Sequence, residues 1–252
     1  MRLTEETERL RLTLRQGAEN AAKRQRACPG RFISAADKPL AVHEARDCGV
    51  EAFMEGGWPG AERMQVCFVP EGEEPLFTAV WLRIDWDRRF DQVSHRDLLG
   101  SLLGLGIDRS YTGDLILQVK NAWLFALPEL ARRLPEEWLE AGRVPIRVSL
   151  CEEKPEITPP RGSLCRETVA SLRLDAVLAA GMRLSRARTA ELIRAGRVSV
   201  NHQMEERPDV LLNAGDLLSI RGAGRVRLTE IGGRTRKDRV SIEMERFLHK
   251  DN

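Results

Sequence analysis

The stretch 172–222 constrains the fold most. Leu174, Val177 and Leu178 recur at helical spacing, and Gly181 then predicts a C-terminal cap. Ser185 suits the N-cap of a second helix over 186–195, closed by Gly196. Val198 and Val200 alternate with Arg197 and Ser199, which predicts a strand ending at Asn201. Pro208 breaks the pattern, Gly215-Asp216 predicts a turn, and 217–221 reads as another strand. Two short arginine-bearing helices joined to a small hairpin make a surface suited to phosphate.

The groups Arg173-Leu174-Asp175, Ser185-Arg186, Leu192-Ile193, Gly196, Val198, Val200-Asn201 and Gly215-Asp216 together resemble the S4 domain, an RNA-binding module. With Arg221-Gly222-Ala223-Gly224-Arg225 added, the chain resembles the YlmH family of bacterial and plastid S4-domain proteins. His202 departs from the glycine that many S4 domains carry after the asparagine.

The chain has 252 residues, 42% hydrophobic and 31% charged, enough for two domains with real cores. No apolar run reaches the length of a membrane span. The N-terminus lacks the apolar segment of a signal peptide and carries Glu5, Glu6 and Glu8, so a cytoplasmic protein is expected. Cys28, Cys48, Cys67, Cys151 and Cys165 form no C-x-x-C pair, so free thiols and no metal or cofactor are expected. The net charge of +2 hides an asymmetry. Residues 171–250 hold 16 Lys+Arg against 10 Asp+Glu, a balance of +6; the rest holds 24 against 28, a balance of −4. A basic C-terminal third on a slightly acidic body points to an anionic partner.

Residues 4–26 predict a helix with Leu3, Leu10 and Leu14 on one side and Arg9, Arg11, Arg15, Lys23, Arg24 and Arg26 on another. That basic side suits RNA or an ordinary solvated face. A second helix is expected over 41–47. The glycines and Pro59 in 56–63 form a tight loop; no lysine-serine pair follows, so nucleotide binding is excluded. From Phe77 the order reads βαββαβ, a ferredoxin-like arrangement, with a capping-box variant at Ser94 and Asp97. The aromatic pattern for base stacking is missing; Tyr111 and Trp123 read as isolated core or loop residues. Pro155, Pro159 and Pro160 mark a linker. Beyond the S4 motifs, 225–231 and 240–245 predict a hairpin whose tip carries Arg234, Arg236, Lys237 and Arg239.

The expected class is therefore α+β and multidomain. It comprises a helical N-terminal part (1–62), a ferredoxin-like βαββαβ domain (63–152), a linker (153–170) and an S4 domain with its hairpin (171–250). The RNA-binding set is Arg173, Arg186, Arg188, Arg194, Arg197, Asn201, Arg221, Arg225, Arg234, Arg236 and Lys237. Arg188 could instead pair with Glu191. No catalytic motif appears: Asp175 lacks the continuation of a pseudouridine synthase nucleophile and reads as a helix-start residue. His43, His95, His202 and His249 stand apart with no nucleophile motif beside them.

The missing motifs point to a non-catalytic protein, and a monomer is expected; the resemblance implies ribosomal RNA as the partner, with tRNA as a further one. It implies a place on the large ribosomal subunit, in translation or in quality control of stalled peptidyl-tRNA. An RNA-modifying enzyme with an unrecognised site, or a general RNA binder linked to cell division or photosystem biogenesis, are the alternatives.

Overall fold

The computed structural model describes residues 5–87, 93–119, 121–151, 154–157 and 162–248. Leu3, the turn expected at Lys120, the prolines Pro159 and Pro160, and His249 lie outside them. The chain divides into two compact units, Met1–Thr158 and Pro159–Asn252.

The first unit opens with helix α1 (Glu5–Arg24), strand β1 (Cys28–Ser34), helix α2 (Lys38–Asp47), and strands β2 (Glu51–Glu55) and β3 (Arg63–Val69). The two expected helices are present, but strands accompany them. β1, β3 and β2 make an antiparallel sheet in that order. Leu14, Ala18, Ile33, Ala45, Val66 and Phe68 form its core with the helices. β1 escapes a sequence reading because Pro29 and Gly30 look like punctuation; a register shift between Pro29 and Phe32 absorbs them.

Next come β4 (Val80–Trp86), α3 (His95–Gly104), β5 (Thr112–Leu117), β6 (Ala122–Ala126), α4 (Pro128–Glu137), β7 (Glu140–Ala141) and β8 (Val144–Cys151). The sheet order β5-β6-β4-β8-β7, all antiparallel, is the ferredoxin-like topology with one short strand added. Ser94 caps α3: its hydroxyl accepts the Asp97 amide at 3.2 Å while Asp97 accepts the Ser94 amide at 3.0 Å.

Alternation along β4 and β6 sends Leu82, Ile84 and Leu124 under the helices. Trp81, Trp123 and Phe125 take the opposite face. Trp123 is therefore not isolated. Trp81 and Phe125 have centroids 4.7 Å apart, and Phe32 meets Phe125 edge-on at 5.6 Å. Phe32, Trp58 and Ile157 cover this face, leaving Trp81 and Phe125 each 5% exposed. Bases have no access to it. Gly57, at φ +78°, belongs to the cover: a Cβ there would lie 2.7 Å from Trp81 and 3.2 Å from Phe125.

The second unit holds β9 (Ser163–Val169), α5 (Leu174–Met182), α6 (Arg186–Arg194), β10 (Val198–Val200), β11 (Gln203–Met204), β12 (Leu217–Ile220), β13 (Gly224–Arg234) and β14 (Val240–Leu248). They form an antiparallel sheet ordered β11-β10-β12-β13-β14-β9. Part of the stretch read as linker is thus a strand of this sheet. Val177, Leu178 and Ile193 from the helices pack on Leu218, Val226, Leu228 and Ile242.

Gly181 lies inside α5 rather than capping it. The cap is Arg183, left-handed at φ 55°. Gly181 is a packing glycine: a Cβ would sit 2.8 Å and 3.0 Å from the two Val226 methyls and 3.3 Å from the Met244 sulfur. Gly181→Ala should cost about 1–3 kcal/mol by overpacking, read as a lower midpoint of thermal unfolding. An unchanged midpoint would show that the sheet yields freely.

Candidate nucleic-acid interface

The candidate surface is built around one carboxylate. Asp175 sits in the first turn of α5 with its side chain only 9% exposed. Its Oδ1 accepts from Arg173 Nε at 3.1 Å, and its Oδ2 accepts from Arg186 Nη2 at 2.7 Å. Burial alone would raise the Asp175 carboxyl; the hydrogen bonds and charges of Arg173 and Arg186 outweigh it and hold it below its ordinary value. Both arginines stay accessible, with side chains 41% and 55% exposed. One buried anion thus holds two cations side by side, one before α5 and one opening α6. Asp175 is more than a helix-start residue. Its tie to Arg186 spans 11 positions and follows only from the helical hairpin.

Local chemistry fixes this corner. Ser185 caps α6, its hydroxyl accepting the Arg188 amide at 3.2 Å. The Leu174 and Asp175 amides donate to the carbonyls of Val210 and Pro208 at 2.8 and 3.0 Å. The start of α5 therefore spends these amides inside the protein, and an anion there would meet side chains.

At the far end of α6, roughly 12 Å along the helix, a second cluster forms. Arg194 closes α6 and is exposed. Arg197 and Arg221 are joined across two turns: Arg197 Nη2 donates to the Arg221 carbonyl at 3.2 Å, and the Arg221 amide donates to the Arg197 carbonyl at 3.0 Å.

The other expected residues lie differently. Arg188 pairs with Glu191 at 2.9 Å, the alternative read from the sequence. Asn201, left-handed at φ 50°, spends its amide on a turn: Nδ2 donates to Asp216 at 2.7 Å and Oδ1 accepts the Leu217 amide at 3.0 Å. Val226 and Leu228 point under the helices, so Arg225 and Arg227 occupy the opposite face of the sheet, away from Arg186. Burial, then the charge of Arg227, lowers the Arg225 guanidinium below its ordinary value.

The hairpin tip is closed by the Thr235 amide donating to the Arg239 carbonyl at 2.7 Å. Arg234 pairs with Asp238 at 2.5 Å, and the Arg239 guanidinium donates to the Thr168 hydroxyl at 3.1 Å and to its carbonyl. Arg236 and Lys237 remain exposed. Arg239 lies on the tip but outside the expected RNA set; its contact with β9 depends on a strand that the sequence does not announce.

The basic side of α1 is largely neutralised. Arg9 pairs with Glu5 at 2.8 Å, and Arg11 with Glu8 at 2.7 Å. Arg15 reaches Glu19 at 3.3 Å and the buried Glu44 at 3.6 Å.

A family model described as a putative RNA-binding domain in YlmH matches residues 70–154, and the S4 domain model matches residues 172–218. A Bacillus subtilis (strain 168) protein named ribosome-associated protein quality control protein P2 is 35% identical over 210 residues, 82% of this chain and 81% of the relative. A solved structure titled cell division protein ylmH from Streptococcus pneumoniae is 18% identical, with a TM-score of 0.48, covering 60% of this chain and 94% of that one. Two RNA-binding domain types in this order, with a relative of this identity along most of the length, make the chain a member of the YlmH family of S4-domain RNA-binding proteins.

Proposed function

We propose that this protein binds structured ribosomal RNA through its S4 unit, without catalysis, and acts as a monomer on the large ribosomal subunit in the cytoplasm. The observation that carries the reading is the Arg173–Asp175–Arg186 clamp, which holds two exposed guanidinium groups in place beside each other through one shared carboxylate. Arg194, Arg197 and Arg221 extend the cationic surface along α6. The name of the Bacillus subtilis relative supports a role in ribosome-associated protein quality control; the family resemblance extends this to ribosomes with stalled peptidyl-tRNA.

Crosslinking in cells followed by RNA sequencing tests the reading. A footprint concentrated on large-subunit RNA is expected. A scattered messenger footprint would favour a general RNA binder. A new base modification in RNA incubated with the protein, seen by mass analysis, would replace the binding reading with an enzyme.

Arg186→Ala and Arg194→Ala should each weaken binding to large-subunit RNA by about 1 kcal/mol or more and lower the salt slope by roughly one contact. Arg9→Ala and Arg11→Ala should matter less, since each is matched by a glutamate of its own, whereas Arg173 and Arg186 share one carboxylate and keep a net positive charge. The opposite ranking, measured by filter binding over a salt series, would move the RNA surface to the other end of the chain.

A further inference from the structure

We infer that a cavity beside the Asp175 clamp takes one unpaired nucleotide of the bound RNA; the inference rests on RNA binding by the S4 unit. The cavity, about 270 Å³, lies between the end of β9, one side of α5 and the start of α6. Its floor is small and apolar, from Ala176, Ala179, Ala180 and Leu184. Arg186 and Arg239 line it as well.

The volume, about 270 Å³, falls just below the usual range of small-ligand sites, so a duplex or a protein helix cannot enter, whereas a lone base can. The chemistry is two-sided in the same way as a nucleotide. Methyl groups offer a dry surface to a ring face, and the guanidinium planes offer charge to phosphate or a stacking partner to the base. Both cations are held in place: Arg186 by Asp175, and Arg239 by the hydroxyl and carbonyl of Thr168. The neighbouring acids are already engaged. Asp175 is shared by two arginines, and Glu167, beside α5 on β9, pairs at 3.1 Å with the buried Arg246, which also donates to the Ala180 carbonyl at 3.0 Å. The cavity wall is thereby cationic and rigid. Arg186 belongs both to the RNA surface and to the cavity, so a strand crossing that surface passes its mouth.

The test uses the full chain and two RNA hairpins of one sequence, fully paired or carrying a single unpaired adenosine, compared by fluorescence anisotropy at one salt concentration. Wild type should bind the bulged hairpin about tenfold more tightly, the scale of one stacked base. Ala180→Leu fills the floor and should bring the two affinities together within about twofold, while leaving the paired hairpin unaffected. Arg239→Gln, on the exposed rim, should also reduce the preference and serves if Ala180→Leu does not fold. A 2-aminopurine at the unpaired position should change its fluorescence with wild type and not with Ala180→Leu. Equal wild-type affinities, or a preference that survives both variants, would overturn the cavity assignment and leave RNA binding standing. Failure of wild type to bind either hairpin or large-subunit RNA in the same assay would instead overturn the RNA reading itself.

Discussion

Asp114→Ala should destabilise the N-terminal unit by about 3 kcal/mol or more, the largest effect expected of any single substitution here. Asp114 lies on β5, where the pairing with β6 shifts register. Its Oδ2 accepts Trp58 Nε1 at 2.9 Å and the Glu62 amide at 2.8 Å; its Oδ1 accepts the Arg63 amide at 3.1 Å. Arg63 then donates to the carbonyls of Thr112 at 2.9 Å and Arg109 at 2.7 Å, and reaches Phe32 at 3.3 Å. This network fastens the glycine loop and β1 to the ferredoxin-like sheet and keeps the aromatic face covered. Alanine would strip three donors of their acceptor and remove the anion whose charge acts most on the half-buried Arg63. Asparagine would fare little better, since it offers one acceptor oxygen where two are in use.

All five tryptophans lie in this unit, so urea unfolding followed by their fluorescence reports on it directly. A change below about 1 kcal/mol would show that water replaces the carboxylate at little cost. The pH dependence has a definite sign. Burial pushes the Asp114 carboxyl up, against the pull of Trp58, the Arg63 amide and the cations Arg63 and Arg109. Its contribution is therefore full below the unfolded pKa and declines as the pH rises through the raised folded value. Asp175 runs the other way. Its depressed carboxyl contributes stability above the unfolded pKa and loses it as the pH falls through the folded value.

What could be read from the chain was whatever local chemistry decides. Ser94 and Ser185 announce their helices, Gly196 ends one at φ +65°, and the alternation in 144–150 is a strand under helices on one side. What could not be read depends on partners far away in sequence. β9 carries Glu167 where a core residue would signal a strand, and the reason is Arg246, 79 positions on. Trp81, Trp123 and Phe125 gather on one face only once β4 and β6 pair, and their cover comes from Phe32 and Trp58. The candidate arginines are legible individually, but the sharing of Asp175 by Arg173 and Arg186 is not. The family resemblance puts Arg186 and Arg225 in one set, whereas strand parity puts them on opposite sides of the sheet.

Asp175→Ala should weaken binding to large-subunit RNA about tenfold, although it removes a negative charge from an RNA-facing surface. Two effects oppose each other. Loss of the anion adds attraction between exposed charges, worth less than about 1 kcal/mol. Loss of the clamp frees both Arg173 and Arg186, and reordering each on RNA costs about 0.5–1.5 kcal/mol. Positioning outweighs charge, and the balance is close to the tenfold stated. The salt series separates this from a lost contact: Arg186→Ala should lower the slope by about one, whereas Asp175→Ala keeps every cation and should leave the slope unchanged. Asp175→Asn retains an acceptor for one arginine and should fall between wild type and alanine. Circular dichroism at neutral pH checks that each variant is folded. Should Asp175→Ala bind as tightly as wild type, or more tightly with a steeper slope, the paired arginines act only as diffuse charge and the clamp has no part in holding RNA.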